Sequence, residues 1–196
     1  MSTPYTELQL DTLREVANIG SGTASTALSQ LLTRPVDISV PEARAVSLAD
    51  VVESVGAPDL DVTGVVIPVV GDIPSVVLCV FRSDDSQKLC ELLGVEAGSE
   101  VGLSALGEIG NILGTHYLSS MHAMTGLALE PAPPQIAEDM LGAIVASVLV
   151  EHCGEDDLTL FIDSELFVEG ESCSLSFLYV PGAAGATHLL TCLGMA

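Results

Sequence analysis

Leu13, Ala17, Gly20, Ala24, Ala27 and Leu31 recur at the three- and four-residue spacing of one helix face, with polar residues filling most positions between them. Thr6-Glu7-Leu8-Gln9 forms a capping box, with Thr6 at the N-cap and Gln9 three residues on, and Tyr5 and Leu10 are placed for a hydrophobic staple. The pattern predicts a long helix from 7 to about 32, stopped before Arg34-Pro35 because the residue preceding proline avoids the helical region. A second long helix is predicted from 100 to the Met124-Thr125-Gly126 stretch, with Ser99 in the N-cap slot and Gly126 as C-terminal cap. Glu7 and Glu100 fall in first turns, where the helix dipole favours acids.

Weaker signals then follow each long helix in the same order. Residues 36–40 and 127–129 read as extended and lead to Pro41 and Pro134. A helix comes next in each half, short over 49–55 and longer over 138–152. Each half continues with two apolar strand-like runs, 62–70 with 76–81 and 158–167 with 174–180, and Gly71-Asp72 and Glu169-Gly170 supply turn chemistry between them. Short helices over 84–93 and 184–193 close the halves at Gly94 and Gly194. The expected fold class is α/β of the α+β kind. One domain, 1–196, consists of two pseudo-symmetric halves, about 6–97 and 99–196, whose hairpins share an antiparallel sheet flanked by two long helices.

The long helices also share polar residues that a core does not require. An offset of 93 residues carries Leu13 onto Leu106, Glu15 onto Glu108, Asn18 onto Asn111, Ile19 onto Ile112 and Pro41 onto Pro134. Asp11, Glu15 and Asn18 fall within an arc of about 60° on a helix, as do Ser104, Glu108 and Asn111. Each helix therefore offers one carboxylate and one carboxamide to the same patch of solvent. The carboxylate can anchor a cation such as a partner's Lys. The carboxamide donates and accepts at once, which is what orienting a water molecule needs. A single Glu-x-x-Asn is ordinarily a solvated face. Two in the same slot of halves that otherwise share only hydrophobicity mark a functional site.

Other candidate chemistry is weaker. Asn18-Ile19-Gly20-Ser21-Gly22-Thr23 resembles a Gly-rich phosphate loop, but it follows no strand and lies mid-helix, so close helix packing explains its glycines better. His116 and His122 do not share a helix face, and His152 and His188 stand apart, so no metal site is expected. Ser, His and Asp form no nucleophile elbow. Asp156-Asp157 and Glu138-Asp139 read as turn and cap residues. Cys79, Cys90, Cys153, Cys173 and Cys192 form no CxxC and read as buried thiols of a reducing compartment. With 5 Lys and Arg against 27 Asp and Glu, the formal charge is −22, which excludes a nucleic-acid partner and disfavours an anionic membrane. The start lacks the basic and apolar stretches of a secretory signal, and no apolar run approaches a membrane span of about 20 residues. A cytoplasmic protein is expected.

The spacing Asp/Ser, three residues, Glu, two residues, Asn, twenty-two residues, Pro resembles the signature of the CheC/CheX/FliY phosphatases of bacterial and archaeal chemotaxis. Asp11, Glu15, Asn18 and Pro41 fit it without insertion, as do Ser104, Glu108, Asn111 and Pro134. Two copies with no added domain resemble the CheC type, since CheX usually keeps one copy and FliY carries an additional domain. The resemblance implies dephosphorylation of the response regulator CheY. Asn18 or Asn111 would orient the attacking water, and Glu15 or Glu108 would pair with a Lys of the regulator. It implies no cofactor of the chain's own, the Mg²⁺ being supplied by CheY. A monomer is expected. The stretch 139–145 resembles the segment that docks CheD, which makes Asp139, Met140, Gly142, Ala143 and Val145 binding candidates. A non-catalytic adaptor that sequesters CheD or phospho-CheY is the alternative.

Overall fold

The computed structural model describes residues 5–46, 48–153, 159–171 and 173–195. Asp156-Asp157 and the side chains of His152 and Cys153 lie outside that set. The first half runs α1 (Glu7–Leu32), β1 (Val36–Ile38), β2 (Glu42–Val46), α2 (Leu48–Val55), β3 (Asp61–Gly71), β4 (Ser75–Arg82) and α3 (Ser83–Leu93). The second repeats that order with α4 (Glu100–Thr125), β5 (Leu129–Pro131), β6 (Gln135–Met140), α5 (Leu141–Cys153), β7 (Thr159–Val168), β8 (Ser174–Val180) and α6 (Gly182–Cys192).

The strands form one eight-stranded sheet in the order β1-β7-β8-β4-β3-β5, with β2 also on β7 and β6 also on β3. Every pairing is antiparallel. Val65, Ile67 and Val69 of β3 and Val77, Cys79 and Phe81 of β4 join the core under α1 and α4. Alternate residues, Val62, Val76, Leu78 and Val80, join a second core with Val51 of α2 and with Leu141, Ile144 and Val145 of α5. Helices thus cover both faces. That is why β3 and β4 read as near-continuous apolar runs rather than as polar–apolar alternation.

The two halves exchange strands. β1 and β2 of the first half pair with β7 of the second, and β5 and β6 pair with β3. β2 and β6 were not expected from the sequence. Glu42-Ala43-Arg44-Ala45-Val46 and Gln135–Met140 are short and polar, and each is held by register with a distant strand, such as Ala43 opposite Ile162 and Ile136 opposite Val65. The expected helix over 138–152 is corrected accordingly. Glu138, Asp139 and Met140 close β6, opposite Thr63, Val62 and Asp61, and the helix begins at Leu141. Of the cysteines, Cys79, Cys90 and Cys173 are buried, but Cys192 at the end of α6 is exposed, which corrects the expectation of five buried thiols.

The β2–β7 pairing carries a titrating group. Glu42 lies directly opposite Asp163, and Arg44 Nη2 stands 3.7 Å from the Asp163 carboxylate. Burial pushes the Asp163 carboxyl up to about 6, Arg44 opposes this, and Glu165 and Glu42 push it further up. A carboxyl raised in the folded state favours folding while protonated. Its contribution is therefore present near pH 4 and lost as pH rises through about 6. Asp163→Asn should thus match the parent's stability at pH 4 and exceed it by on the order of 2 kcal/mol at pH 7.5. Urea unfolding of both proteins across that range is the check. A constant difference at all pH values would contradict the titration.

Candidate functional site

α1 and α4 begin as the sequence predicts. The Gln9 amide donates to Thr6 Oγ1 and the Thr6 amide to Gln9 Oε1, and the Gly102 amide donates to Ser99 Oγ at 3.0 Å. The helices pack side by side where Gly20 meets Tyr117, so closely that a Cβ at Gly20 would stand 2.9 Å from the Tyr117 Cα. The Tyr117 hydroxyl is hydrogen-bonded to Ser21 of α1 and to Ser164 of β7, and its ring lies 4.1 Å, centroid to centroid, from Phe177 of β8. Burial pushes the Tyr117 hydroxyl above its ordinary pKa, against the lowering effect of both serines, so it stays protonated as a structural link. Both long helices are thereby tied to each other and to the sheet at this crossing.

On α1, Leu13, Val16 and Ala17 are buried, while Asp11, Glu15 and Asn18 are exposed. On α4, Leu106, Gly107, Ile109 and Gly110 are buried, Ser104 and Glu108 are exposed, and Asn111 is half-buried. Each Glu–Asn pair therefore stands on a rigid helix with packed residues behind it. Ala27 and Leu31 are only partly covered, and Leu28 and Leu32 take the fully buried places expected for them. The two glycines of Gly20-Ser21-Gly22 also divide. Gly20 serves the helix crossing, whereas Gly22 has open space around it, so helix packing accounts for the first alone.

The surroundings of the two pairs differ. At the second, Ser104, Glu108 and Asn111 of α4 face Pro134 and Ile136 across an open groove of about 430 Å³, with Glu100 and Leu103 at one end. The structure thus gathers the helix residues and the distant proline of the repeated spacing into one concavity. At the first, Pro41 is buried just before β2, and Arg14 bridges helix and strand. The Arg14 guanidinium pairs with Asp11, lies 4.0 Å from Glu7, and donates to the Ala43 carbonyl at 3.4 Å. Arg14 and Ile136 were not singled out from the sequence, although Arg14 sits in the same repeat slot as Gly107, and that difference was visible.

The candidate docking segment is split between two elements. Asp139 and Met140 are exposed on β6, Ala143 is exposed on α5, and Gly142 is partly covered by Pro58, whose carbonyl accepts from its amide at 2.9 Å. Val145 is fully buried in the core between α5 and the sheet, so it is not available to a partner. Among the described residues no three His, Cys, Asp or Glu side chains gather as metal ligands, and no helix is long and apolar enough to cross a membrane.

The pattern of the CheC-like family matches residues 8–43 and 101–138, which hold both Glu–Asn pairs and both prolines. The chain is 32% identical over 169 residues to the CheY-P phosphatase CheC of Bacillus subtilis, covering 82% of this chain and 81% of that protein. Its fold is similar to that of Thermotoga maritima FliY, with a TM-score of 0.77 at 19% identity, over 97% of this chain and 98% of that one. It is also similar to a chain of the CheX-CheY-BeF3-Mg complex of Borrelia burgdorferi, with a TM-score of 0.54 at 14% identity, over 85% and 95% of the two chains. Two Glu–Asn pairs on long helices, within a fold and a sequence of this kind, show that the chain belongs to the CheC-like family.

Proposed function

We propose that this chain dephosphorylates the aspartyl-phosphate of the chemotaxis response regulator CheY, with one site on α1 and one on α4. The observation that carries the proposal is the duplicated pair Glu15–Asn18 and Glu108–Asn111, presented to a partner from rigid helices in a chain related to a CheY-P phosphatase. Water attacks the phosphorus, the bond to the regulator's aspartate oxygen breaks, and the carboxylate leaves as inorganic phosphate takes up the hydroxyl. Such a transfer has a loose transition state, so positioning and charge stabilisation are the main tasks. The Asn carboxamide holds the water in line. The Glu carboxylate pairs with a regulator Lys and sets the docking register. The Mg²⁺ is the regulator's own, so this chain supplies no metal ligand.

The test is phosphate release from phospho-CheY with and without the protein. Release at the regulator's own rate, with tight binding retained, would make the chain an adaptor instead. CheD is the second proposed partner, and Asp139, Met140 and Ala143 with part of Gly142 are the surface offered to it. Asp139→Lys reverses a charge on an exposed strand residue, so folding is spared, and it should abolish CheD capture in a pull-down while phosphate release stays at its parental rate. Parental capture of CheD would remove this edge from the interface. The protein is proposed to act as a monomer in the cytoplasm.

A further inference from the structure

The offset that superposes the two Glu–Asn pairs also lays Arg14 on Gly107 and Ala43 on Ile136. Those two replacements remake the surface beside the pair. In the second half nothing projects from position 107, and a Cβ there would stand 3.2 Å from Ile136 Cδ1. Any side chain at 107 would therefore enter the space between α4 and β6. Ile136 is 37% exposed, and with Leu103 it gives that space an apolar lining beside the Glu108–Asn111 pair. Glu100 and Glu108 supply its charge, and no basic residue lines it. In the first half the corresponding space is crossed by Arg14, which reaches the Ala43 carbonyl and pairs with Asp11.

We propose that the groove between α4 and Pro134–Ile136 is a specificity subsite that receives an apolar side chain of the docked regulator, next to a basic one, and that Arg14 closes its counterpart at the first site. The proposal rests on the phosphatase reading above. Two features define the occupant. The groove is continuous with the Glu108–Asn111 pair, so a regulator seated on that pair lies over it. Its acidic charge without a cation selects a basic flank, and the exposed Ile136 selects an apolar side chain, whose burial there is favourable. The two sites are therefore unlike in what they recognise, although both carry the same Glu and Asn. A regulator lacking the apolar side chain would use the first site.

Steady-state phosphate release from phospho-CheY tests this in the Asn18→Ala protein, where the second site works alone. Ile136→Asp places a charge in the apolar lining, and Gly107→Arg rebuilds the first site's closure. Each should raise KM at least fivefold and leave kcat within twofold, because the groove binds the regulator and the Asn acts on the water. Ile136 is partly exposed, so its variant should melt where the parent does even if Gly107→Arg does not fold. Unchanged KM for Ile136→Asp, in a protein that still loses turnover on Asn111→Ala, would overturn the subsite and leave the phosphatase reading standing. Turnover indifferent to Asn111 would overturn the phosphatase reading itself, and the subsite with it.

Discussion

Asn18→Ala combined with Asn111→Ala is expected to remove the acceleration of phosphate release altogether, while each single change leaves the share of the other helix. The two Asn residues lie on separate helices, so neither pair needs the other to hold its shape. Asn18 is exposed and Asn111 half-buried. Truncating surface residues of this kind usually changes stability by less than about 0.5 kcal/mol, so the double variant should stay folded. The expected loss is roughly 100-fold or more, the scale on which a mispositioned reactant costs rate. Binding should survive, because a held water matters most in the transition state. Glu15→Lys and Glu108→Lys should do the opposite, weakening docking by placing like charges across the contact. Titration with phospho-CheY followed by single-turnover release separates the two effects. Parental activity in the double Asn variant would sink the mechanism, and full loss in either single variant would mean that one site alone works.

The long helices and the four central strands were legible because their signals are local. A capping box, an αL glycine and runs of Val and Leu say the same thing wherever they stand. The Glu–Asn pairs were legible because the offset repeats them. What escaped was set by contacts between halves. β2 and β6 are stabilised by β7 and β3 of the other half, and their own residues carry charges that mimic helix starts, Glu138-Asp139 most of all. Placing β6 correctly is also what brings Ile136 to Gly107 and creates the groove. The helix dyad Glu108 and Asn111 could thus be named from the sequence, but its apolar wall could not. Val145 shows the same limit from the other side. It belongs to a segment read as a docking surface, yet its direction on α5 puts it wholly in the core.

Gly20 and Gly22 look interchangeable in the sequence, and the structure predicts opposite outcomes for them. Both lie within α1, where exchanging Gly for a better helix former stabilises by up to about 1 kcal/mol when space allows. At Gly22 no atom beyond the surrounding helix backbone stands within 4 Å of the added Cβ, so Gly22→Ala should gain close to that amount. At Gly20 the added carbon meets the Tyr117 Cα at 2.9 Å and its Cγ at 3.2 Å. The first of these is backbone, which cannot turn aside as a flexible side chain would, so Gly20→Val must push α1 away from α4. That displacement also pulls on the hydrogen bond between Ser21 and Tyr117, which the Tyr117–Ser164 bond extends to β7. Overpacking of this kind costs about 1–3 kcal/mol, and the strained network places the expected loss at the upper end. For a chain of this size the melting midpoint should fall by roughly 5–10 °C. Both Glu–Asn pairs stand on the two helices being separated, so phosphate release should fall at both sites together, unlike the one-site loss in either Asn variant. Thermal melts of the two glycine variants decide it. Gly20→Val melting with or above the parent would mean that the helices do not meet at this residue.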